Sequence, residues 1–87
     1  MENAATITLF PNPASTNVSV DLQSLVGKDI DLTLYNNLGQ VVYQQRLEEI
    51  TNELFVISTA QFKNGLYLLE IQGKEGLSVT KKLMINQ

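Results

Sequence analysis

The chain has 87 residues, a formal net charge of −3 at pH 7, 44% hydrophobic residues, and neither histidine nor cysteine. This length predicts one domain. Without histidine and cysteine the sequence lacks a thiol nucleophile, the usual catalytic base and the commonest zinc ligands. Neither a metal nor a cofactor is therefore expected. The acidic balance argues against nucleic acid and anionic membranes as direct partners, and no apolar run approaches the roughly 20 residues of a membrane-spanning helix.

The N-terminus does not show the positively charged start and the apolar core of a signal peptide. We expect Met1 to be an introduced start and residues 1–5 to be the remnant of a linker. One domain, cut from a larger protein, is then expected over residues 6–87.

Apolar residues recur at alternate positions along most of the chain, for example at Val18, Val20 and Leu22. Such alternation is typical of a strand with one buried and one solvated face, and the segments are rich in β-branched and aromatic residues. About seven short strands at regular spacing predict an all-β fold, a two-sheet antiparallel β-sandwich. The predicted strands cover residues 6–10, 18–22, 30–35, 41–47, 54–58, 66–72 and 77–85.

Glycine and asparagine separate these segments at positions typical of tight turns. NNLG (36–39) predicts a type I turn closed by a bulge at Gly39, and hence a hairpin between the flanking strands. GKEG (73–76) predicts a second hairpin between the last two strands. Residues 58–62 suit a helical turn, although they are too few for a stable helix.

The segment FPNPAS (10–15) interrupts the chain directly after the first predicted strand. Because proline has no N–H to donate to a sheet, Pro11 and Pro13 are expected at a strand end, an edge or a crossover. The residue before each proline is biased toward extended geometry. We therefore predict a stiff extended turn from the first strand to the second, and one possibility is that it crosses from one sheet to the other. In this turn Asn12 and Ser15 are expected to form hydrogen bonds with nearby backbone groups.

Carboxylates and serines are the candidates for chemistry. Asp29 and Asp31 share a strand face, with Asp21 as a third oxygen donor, but no glycine-spaced ligand loop accompanies them, so a solvated face is favoured over a calcium site. Glu48 and Glu49 are adjacent in a predicted loop and lack the apolar pocket of a catalytic acid. The serines have no histidine to act as base, so no catalytic residue and no enzyme activity is predicted.

Three tyrosines, Tyr35, Tyr43 and Tyr67, are candidates for a sugar-binding face. Such residues more often pack at the edge of a sandwich with the hydroxyl in water. Because tryptophan is absent as well, packing is the favoured interpretation.

Lys81 and Lys82 interrupt the last predicted strand. If Leu83 and Ile85 face the core, Lys81 points the same way. A bulge near residues 80–82, or an edge position from which the lysine stem reaches water, would resolve this conflict. Lysine on an edge strand also protects against strand-to-strand aggregation, an explanation that needs no binding partner.

Four stretches occur in a fixed order along the chain: LFPNPAST (9–16), LTLYNNLGQVVY (32–43), FKNGLYLLEI (62–71) and KKLMINQ (81–87). Together they resemble the type A C-terminal sorting domain of proteins exported by the type IX (Por) secretion system of Bacteroidetes. In that family a YPNPA segment opens the domain, a LYDxxGRxV hairpin and LxxGxYxxxI follow, and a basic-apolar strand ends the protein. Phe10, Asn36 and Gln40 replace the family's tyrosine, aspartate and arginine, and these changes suit the same turn geometry.

The resemblance implies an Ig-like β-sandwich at the C-terminus of a cargo protein, without catalysis of its own. It implies that a separate N-terminal signal takes the cargo across the inner membrane, and that the folded domain is recognised in the periplasm. The domain then guides the cargo through the outer-membrane translocon to the cell surface or the medium. The implied partners are the translocon with its associated outer-membrane proteins, a sortase-like peptidase that removes the domain, and the cargo domain upstream.

The family places much of its signal in the last strands. A terminal hairpin edge has unpaired backbone groups to which a partner can add a strand, with lysines setting the specificity. Other positions that match the family's motifs are expected to stabilise the fold and not to contact a partner: Pro11, Asn12, Pro13 and Gly39. The residues implied in partner recognition are Gly65, Tyr67, Lys81, Lys82, Leu83 and Ile85.

A fibronectin-like adhesion or carbohydrate-binding module is the alternative interpretation. Such a module can lie anywhere in its parent protein and should melt at a higher temperature when its ligand is present. A sorting signal, by contrast, is expected at the C-terminus of its parent protein. Deletion of its last strand should abolish export.

Overall fold

The computed structural model describes residues 6–87. Its strands follow the predicted order at nearly the predicted bounds, whereas the expected linker remnant, residues 1–5, lies outside the described residues. The strands are β1 (Thr8–Phe10), β2 (Asn17–Asp21), β3 (Ile30–Tyr35), β4 (Val41–Leu47), β5 (Leu54–Ser58), β6 (Gly65–Gly73) and β7 (Ser78–Ile85).

The strands form two antiparallel sheets. A three-stranded sheet has the order β1-β2-β5, and a four-stranded sheet has the order β4-β3-β6-β7. Both predicted hairpins, β3–β4 and β6–β7, lie in the larger sheet. The two hairpins are joined by antiparallel pairing of β3 with β6, in which Leu34 lies opposite Leu69. The predicted two-sheet antiparallel sandwich is confirmed.

The core is built from alternate residues of the strands, although β4 adds only partly buried side chains such as Tyr43 and Leu47. In β2, Val18 and Val20 are fully buried while Asn17 is exposed, and in β7, Leu83 and Ile85 are fully buried. Each such side chain contributes roughly 1.5–3 kcal/mol by leaving water. The largest fully buried side chains are Leu22, Leu25, Ile30, Leu32, Leu34, Ile57, Leu69, Ile71, Leu83, Ile85, Val18 and Val20.

Two local features differ from the sequence prediction. The segment 10–15 does not carry the chain to the other sheet, because β1 and β2 are paired neighbours in the three-stranded sheet. A 3₁₀ turn at Gln23–Leu25 was not predicted. It follows β2 directly, where Asp21 Oδ1 accepts the N–H of Gln23 at 3.0 Å, and it buries Leu25.

The β3–β4 turn forms as predicted. The Gly39 N–H donates to the Asn36 carbonyl at 3.0 Å, and Asn36 Oδ1 accepts the N–H groups of Leu38 and Gln40 at 2.9 and 3.0 Å. Gly39 has a φ of 80°, a conformation that strains any residue with a Cβ. The β3–β4 register shifts beside this turn, as expected for a bulge.

Replacing Gly39 by alanine should destabilise the domain by about 1–2 kcal/mol, the cost of a left-handed conformation for an ordinary residue. No heavy atom lies within 4 Å of the added Cβ, so the expected loss comes from the backbone alone. Gly39→Asn is the matched control and should lose less stability, because asparagine tolerates this conformation better. Urea unfolding followed by circular dichroism measures both, and equal losses would contradict this explanation.

Candidate recognition surface on the C-terminal hairpin

The six residues implied in recognition all lie on the β6–β7 hairpin or at its start, but the sheet divides them between two faces. Tyr67, Leu83 and Ile85 lie in the core. The Tyr67 hydroxyl donates to the Lys63 carbonyl at 2.7 Å. In the folded domain these three side chains are therefore not exposed to a partner. Their role in recognition stays a prediction.

Gly65, Lys81 and Lys82 are the accessible members of this set. Gly65 begins β6 and is half-buried, while Lys82 is exposed on the outer face of the sheet. Lys81 lies opposite Leu69 and is half-buried on the core side of β7. The β6–β7 register runs without a shift, so the bulge considered for residues 80–82 is wrong. The other explanation for Lys81 requires an edge strand, and β7 is the edge strand of its sheet.

The outer edge of β7 is covered by the Pro-Asn-Pro segment (residues 11–13) and Ala14. Asn12 Nδ2 donates to the Lys82 carbonyl at 3.0 Å, and the Met84 N–H donates to Asn12 Oδ1 at 2.9 Å. The Ala14 N–H then donates to the Met84 carbonyl at 2.7 Å, and the Asn86 N–H donates to the Ala14 carbonyl at 2.8 Å. This contact joins the three-stranded sheet to the last strand of the larger one.

The covered edge corrects two expectations. Asn12 was expected to bond nearby backbone groups, but its partners lie 70 and 72 residues along the chain. The edge of β7 was expected to have unpaired groups for a partner strand, but between residues 82 and 86 the chain's own segment binds there. A partner therefore cannot add a strand at this stretch while the domain is folded.

One end of the outer face of the larger sheet is charged and internally paired. Arg46 Nη1 lies 3.2 and 3.1 Å from the two carboxylate oxygens of Asp31, and its Nε lies 3.2 Å from Glu48 Oε2. The hydrogen bonds to Glu48 and Asp31 raise the pKa of Arg46 above its ordinary value. Asp29 Oδ2 lies 3.9 Å from Lys74 Nζ.

These ion pairs bear on the calcium interpretation. Asp29 and Asp31 face basic side chains, and Asp21 belongs to the other sheet, where it bonds the turn after β2. Within residues 6–87, no three carboxylates come together as metal ligands. The favoured interpretation, a solvated strand face, is the one that these contacts support.

The middle of the same face has one side-chain pair across β3 and β6. The Tyr35 hydroxyl donates to Glu70 Oε1 at 3.0 Å, and Gln72 Nε2 donates to Glu70 Oε2 at 3.3 Å. The hydrogen bond to Glu70, desolvation and the negative charge of Glu70 all raise the pKa of Tyr35 above its ordinary value of 10.0. Both carboxylate oxygens of Glu70 are thus engaged.

The other end of the face is apolar, which the sequence analysis missed. The register places Leu66 opposite Met84, Leu68 opposite both Lys82 and Tyr35, and Tyr35 opposite Val41. The signal was available in β6, whose run of apolar residues on both faces departs from simple alternation. We call Tyr35, Val41, Leu66, Leu68 and Met84 the apolar patch; the exposed fractions of its aliphatic side chains are Val41 54%, Leu66 40%, Leu68 39% and Met84 41%.

The three tyrosines do not form one sugar-binding face. Tyr35 lies on the outer face, whereas Tyr43 and Tyr67 lie opposite the buried residues Leu34 and Leu83 on the core side. A cleft of about 1030 Å³ lies at the end of the sandwich that contains Asp29 and Lys74. It is lined by polar, charged and aliphatic residues, with no aromatic ring from the described part of the chain. It therefore lacks the stacking surface that sugar sites use.

Comparison with known proteins identifies the fold and the family. The sequence matches the family described as "Secretion system C-terminal sorting domain" over residues 8–86. The chain belongs to this family. It is a sorting signal of type IX secretion, which takes an attached protein across the outer membrane to the surface or the medium. The recognition made from the ordered motifs is confirmed.

Two relatives extend this identification. The sorting domain is 27% identical over 82 residues to an endo-acting ulvan lyase of Formosa agariphila, covering 94% of this chain but only 15% of that protein. It also resembles a DUF3244 family protein of Bacteroides vulgatus with an immunoglobulin-like β-sandwich fold, at a TM-score of 0.74 and 25% identity, over 90% of this chain and 82% of that one. The expected Ig-like sandwich is confirmed. No helix within residues 6–87 is long and apolar enough to cross a membrane.

Replacing Asn12 by alanine should destabilise the sorting domain by about 1–3 kcal/mol, because the Lys82 carbonyl and the Met84 N–H lose their partner at the edge of β7. The Met84 amide should then exchange its hydrogen faster. Asn37→Ala is the matched control in an exposed turn and should change the stability by less than about 0.5 kcal/mol. Urea unfolding and hydrogen exchange measure the two effects. An unchanged Met84 exchange rate would refute the edge contact.

The Tyr35–Glu70 pair should be visible in a pH titration. Because the folded state favours the neutral phenol, its contribution to stability is present below the ordinary tyrosine pKa and is lost as the pH rises through the higher folded pKa of Tyr35. Glu70→Gln should lower the pKa of Tyr35 toward 10.0. Burial raises the pKa of Tyr43, so Tyr43 is an internal control that this substitution should leave unchanged. Carbon-13 NMR of the tyrosine rings measures both pKa values.

Proposed function

We propose that the sorting domain works as a folded address that protein components of the type IX machinery recognise in the periplasm. The observation that supports this is the family match over residues 8–86, together with the position of the accessible candidates, Lys81 and Lys82, on one edge strand. The cargo is joined upstream of the sandwich. A sortase-like peptidase removes the domain after passage through the outer membrane.

Recognition by the C-terminal hairpin divides its residues into two roles. Lys82, Lys81 and the start of β6 at Gly65 contact the partner, and the lysines set specificity through charge. Tyr67, Leu83 and Ile85 act through packing, because they fix the position of β7 in the core. Pro11, Asn12, Pro13 and Gly39 hold the fold, and the edge contact of Asn12 supports that assignment.

The domain supplies no chemistry of its own in this proposal. The sequence contains no histidine and no cysteine, so no serine has the usual base beside it. The carboxylates at the polar end of the larger sheet are engaged by Arg46 and Lys74. Any enzymatic activity therefore belongs to the cargo. The ulvan lyase is an example of a relative in which a segment like this one makes up 15% of the protein.

An export assay with a periplasmically targeted fluorescent protein tests the proposal. Fused to residues 1–87 in a Bacteroidetes host, the reporter should reach the cell surface or the medium, whereas the reporter alone should stay in the periplasm. Deletion of residues 81–87 is a poor test, because it removes Leu83 and Ile85 from the core. The double substitution Lys81→Ala and Lys82→Ala keeps the core and should reduce export severalfold.

Two controls make the result interpretable. Leu83→Asp puts a charge in the core and should abolish both folding and export. The lysine variant must keep the circular dichroism spectrum of the parent. If the parent fusion stays in the periplasm while the host exports its own type IX cargos, the proposal is wrong. If the folded lysine variant is exported normally, the assignment of Lys81 and Lys82 is wrong.

A further inference from the structure

The apolar patch lies beside a positive charge on the edge strand. Lys82 lies in the same row of the sheet as Leu68 and Tyr35, and in the next row Leu66 lies opposite Met84. The aliphatic side chains of the patch are 39–54% exposed. Alternate positions on the outer face of a solvated sheet are usually polar. Contiguous apolar side chains here therefore indicate a surface that is covered when the domain is at work.

The charge of Lys82 is not neutralised by its surroundings. Within residues 6–87, Lys82 makes no ion pair. The carboxylate of the adjacent row, Glu70, is engaged by Tyr35 and Gln72 through its two oxygens. Arg46, at the opposite end of the same face, instead contacts Asp31 and Glu48. The two ends of the sheet thus differ, since one satisfies its charges internally and the other does not.

We propose that the apolar patch and Lys82 bind an extended segment of an export component that has apolar side chains and a carboxylate placed to meet the Lys82 ammonium. This inference rests on the proposed function and names the chemistry of its partner. Charge complementarity selects this occupant, because an apolar segment covers the patch and a carboxylate pairs with the ammonium, which has no ion-pair partner among residues 6–87.

The contact is made by the face of the sheet and not by its edge. Asn12 and Ala14 already bind the backbone of β7 at Lys82 and Met84. The side chains of Lys82 and Met84 remain on the outer face. A partner can therefore cover the Met84 and Lys82 side chains without displacing the Pro-Asn-Pro segment.

Two other occupants fit these observations less well. A second copy joined by a two-fold axis through the patch would bring two Lys82 ammonium groups and no unengaged patch carboxylate into the interface. An anionic membrane surface would need a cluster of basic residues, but Lys82 is the only basic side chain in the outer-face rows that contain the patch, and the chain has a net charge of −3.

The chain offers a matched control on its other sheet. Val56 is 56% exposed on the outer face of the three-stranded sheet. Its own row contains Ser19 and Phe10, and the adjacent row contains Asp21 and Leu54. Phe10 is 42% and Leu54 49% exposed, so this surface is apolar as well, but neither row has a lysine. The same carboxylate introduced at Val56 and at Leu68 therefore separates an apolar surface without a lysine from the apolar patch beside Lys82.

The first test uses the isolated 87-residue chain and two fluorescent probes. Anilinonaphthalene sulfonate combines an apolar ring system with an anion, and Nile red is apolar and neutral. Leu68→Asp should reduce the fluorescence of both probes severalfold, and Lys82→Glu should reduce that of the sulfonate alone. Val56→Asp should leave the fluorescence of the sulfonate unchanged, because its row and the adjacent row contain no lysine. Equal effects of Leu68→Asp and Val56→Asp on the fluorescence of the sulfonate would overturn the inference. If Leu68→Asp does not fold, Leu68→Thr replaces it, since threonine suits a strand.

The second test introduces a photo-crosslinking residue at Leu68 or at Val56 in the exported reporter fusion. We expect a crosslink from position 68 to an extended apolar segment of an outer-membrane export protein that contains aspartate or glutamate, and none to that protein from position 56. A crosslink from position 68 only to lipid or to a second copy of the chain would overturn the inference.

Export of the variants separates this inference from the proposed function. Leu68→Asp and Lys82→Glu should each reduce export severalfold, while Val56→Asp should be exported like the parent. If the parent is exported and folded Leu68→Asp is exported equally well, the inference fails and the proposed function stands. If the parent itself is not exported, the proposed function fails, whereas the probe measurements still decide whether the patch has the stated chemistry.

Discussion

The hydrogen bonds between Asn12 and the edge of β7 are the contact on which the arrangement of the two sheets depends. A carboxamide has one donor and one acceptor group, like the peptide group of a neighbouring strand. Pro11 and Pro13 have no N–H, so the side chain between them supplies the pairing that the backbone cannot. Because Asn12 lies in the connection from β1 to β2, it ties the three-stranded sheet to the last strand of the larger one.

This contact also defines which parts of the C-terminal hairpin are accessible. The backbone edge is occupied between residues 82 and 86, and the core-facing side chains Leu83 and Ile85 are buried. What remains is the outer face, where Lys82 lies among exposed apolar side chains. The sorting domain thus combines a protected edge, which limits aggregation with other chains, with a face on which Lys82 has no ion-pair partner among the described residues.

The sequence was sufficient for the fold because its information is local. Alternation, together with β-branched and aromatic composition, predicted the seven strands, and the asparagine and glycine of NNLG predicted the turn at Gly39. The partners of Asn12 were not predictable, because no local pattern links residues 70 positions apart. The apolar patch was missed for a related reason: Leu66 and Leu68 read as strand residues in sequence, and only the register with β3 and β7 places them beside Tyr35 and Met84.

The pairing of Asn12 with β7 sets an order of events during synthesis. Residues 82–86 leave the ribosome long after residue 12, so the edge that they share cannot close until translation has passed them. Until then Leu83 and Ile85 are missing from the core, and the larger sheet lacks the end of its edge strand β7. A cargo whose translation stops early therefore never acquires the folded domain, and a truncated protein is left without an address for export.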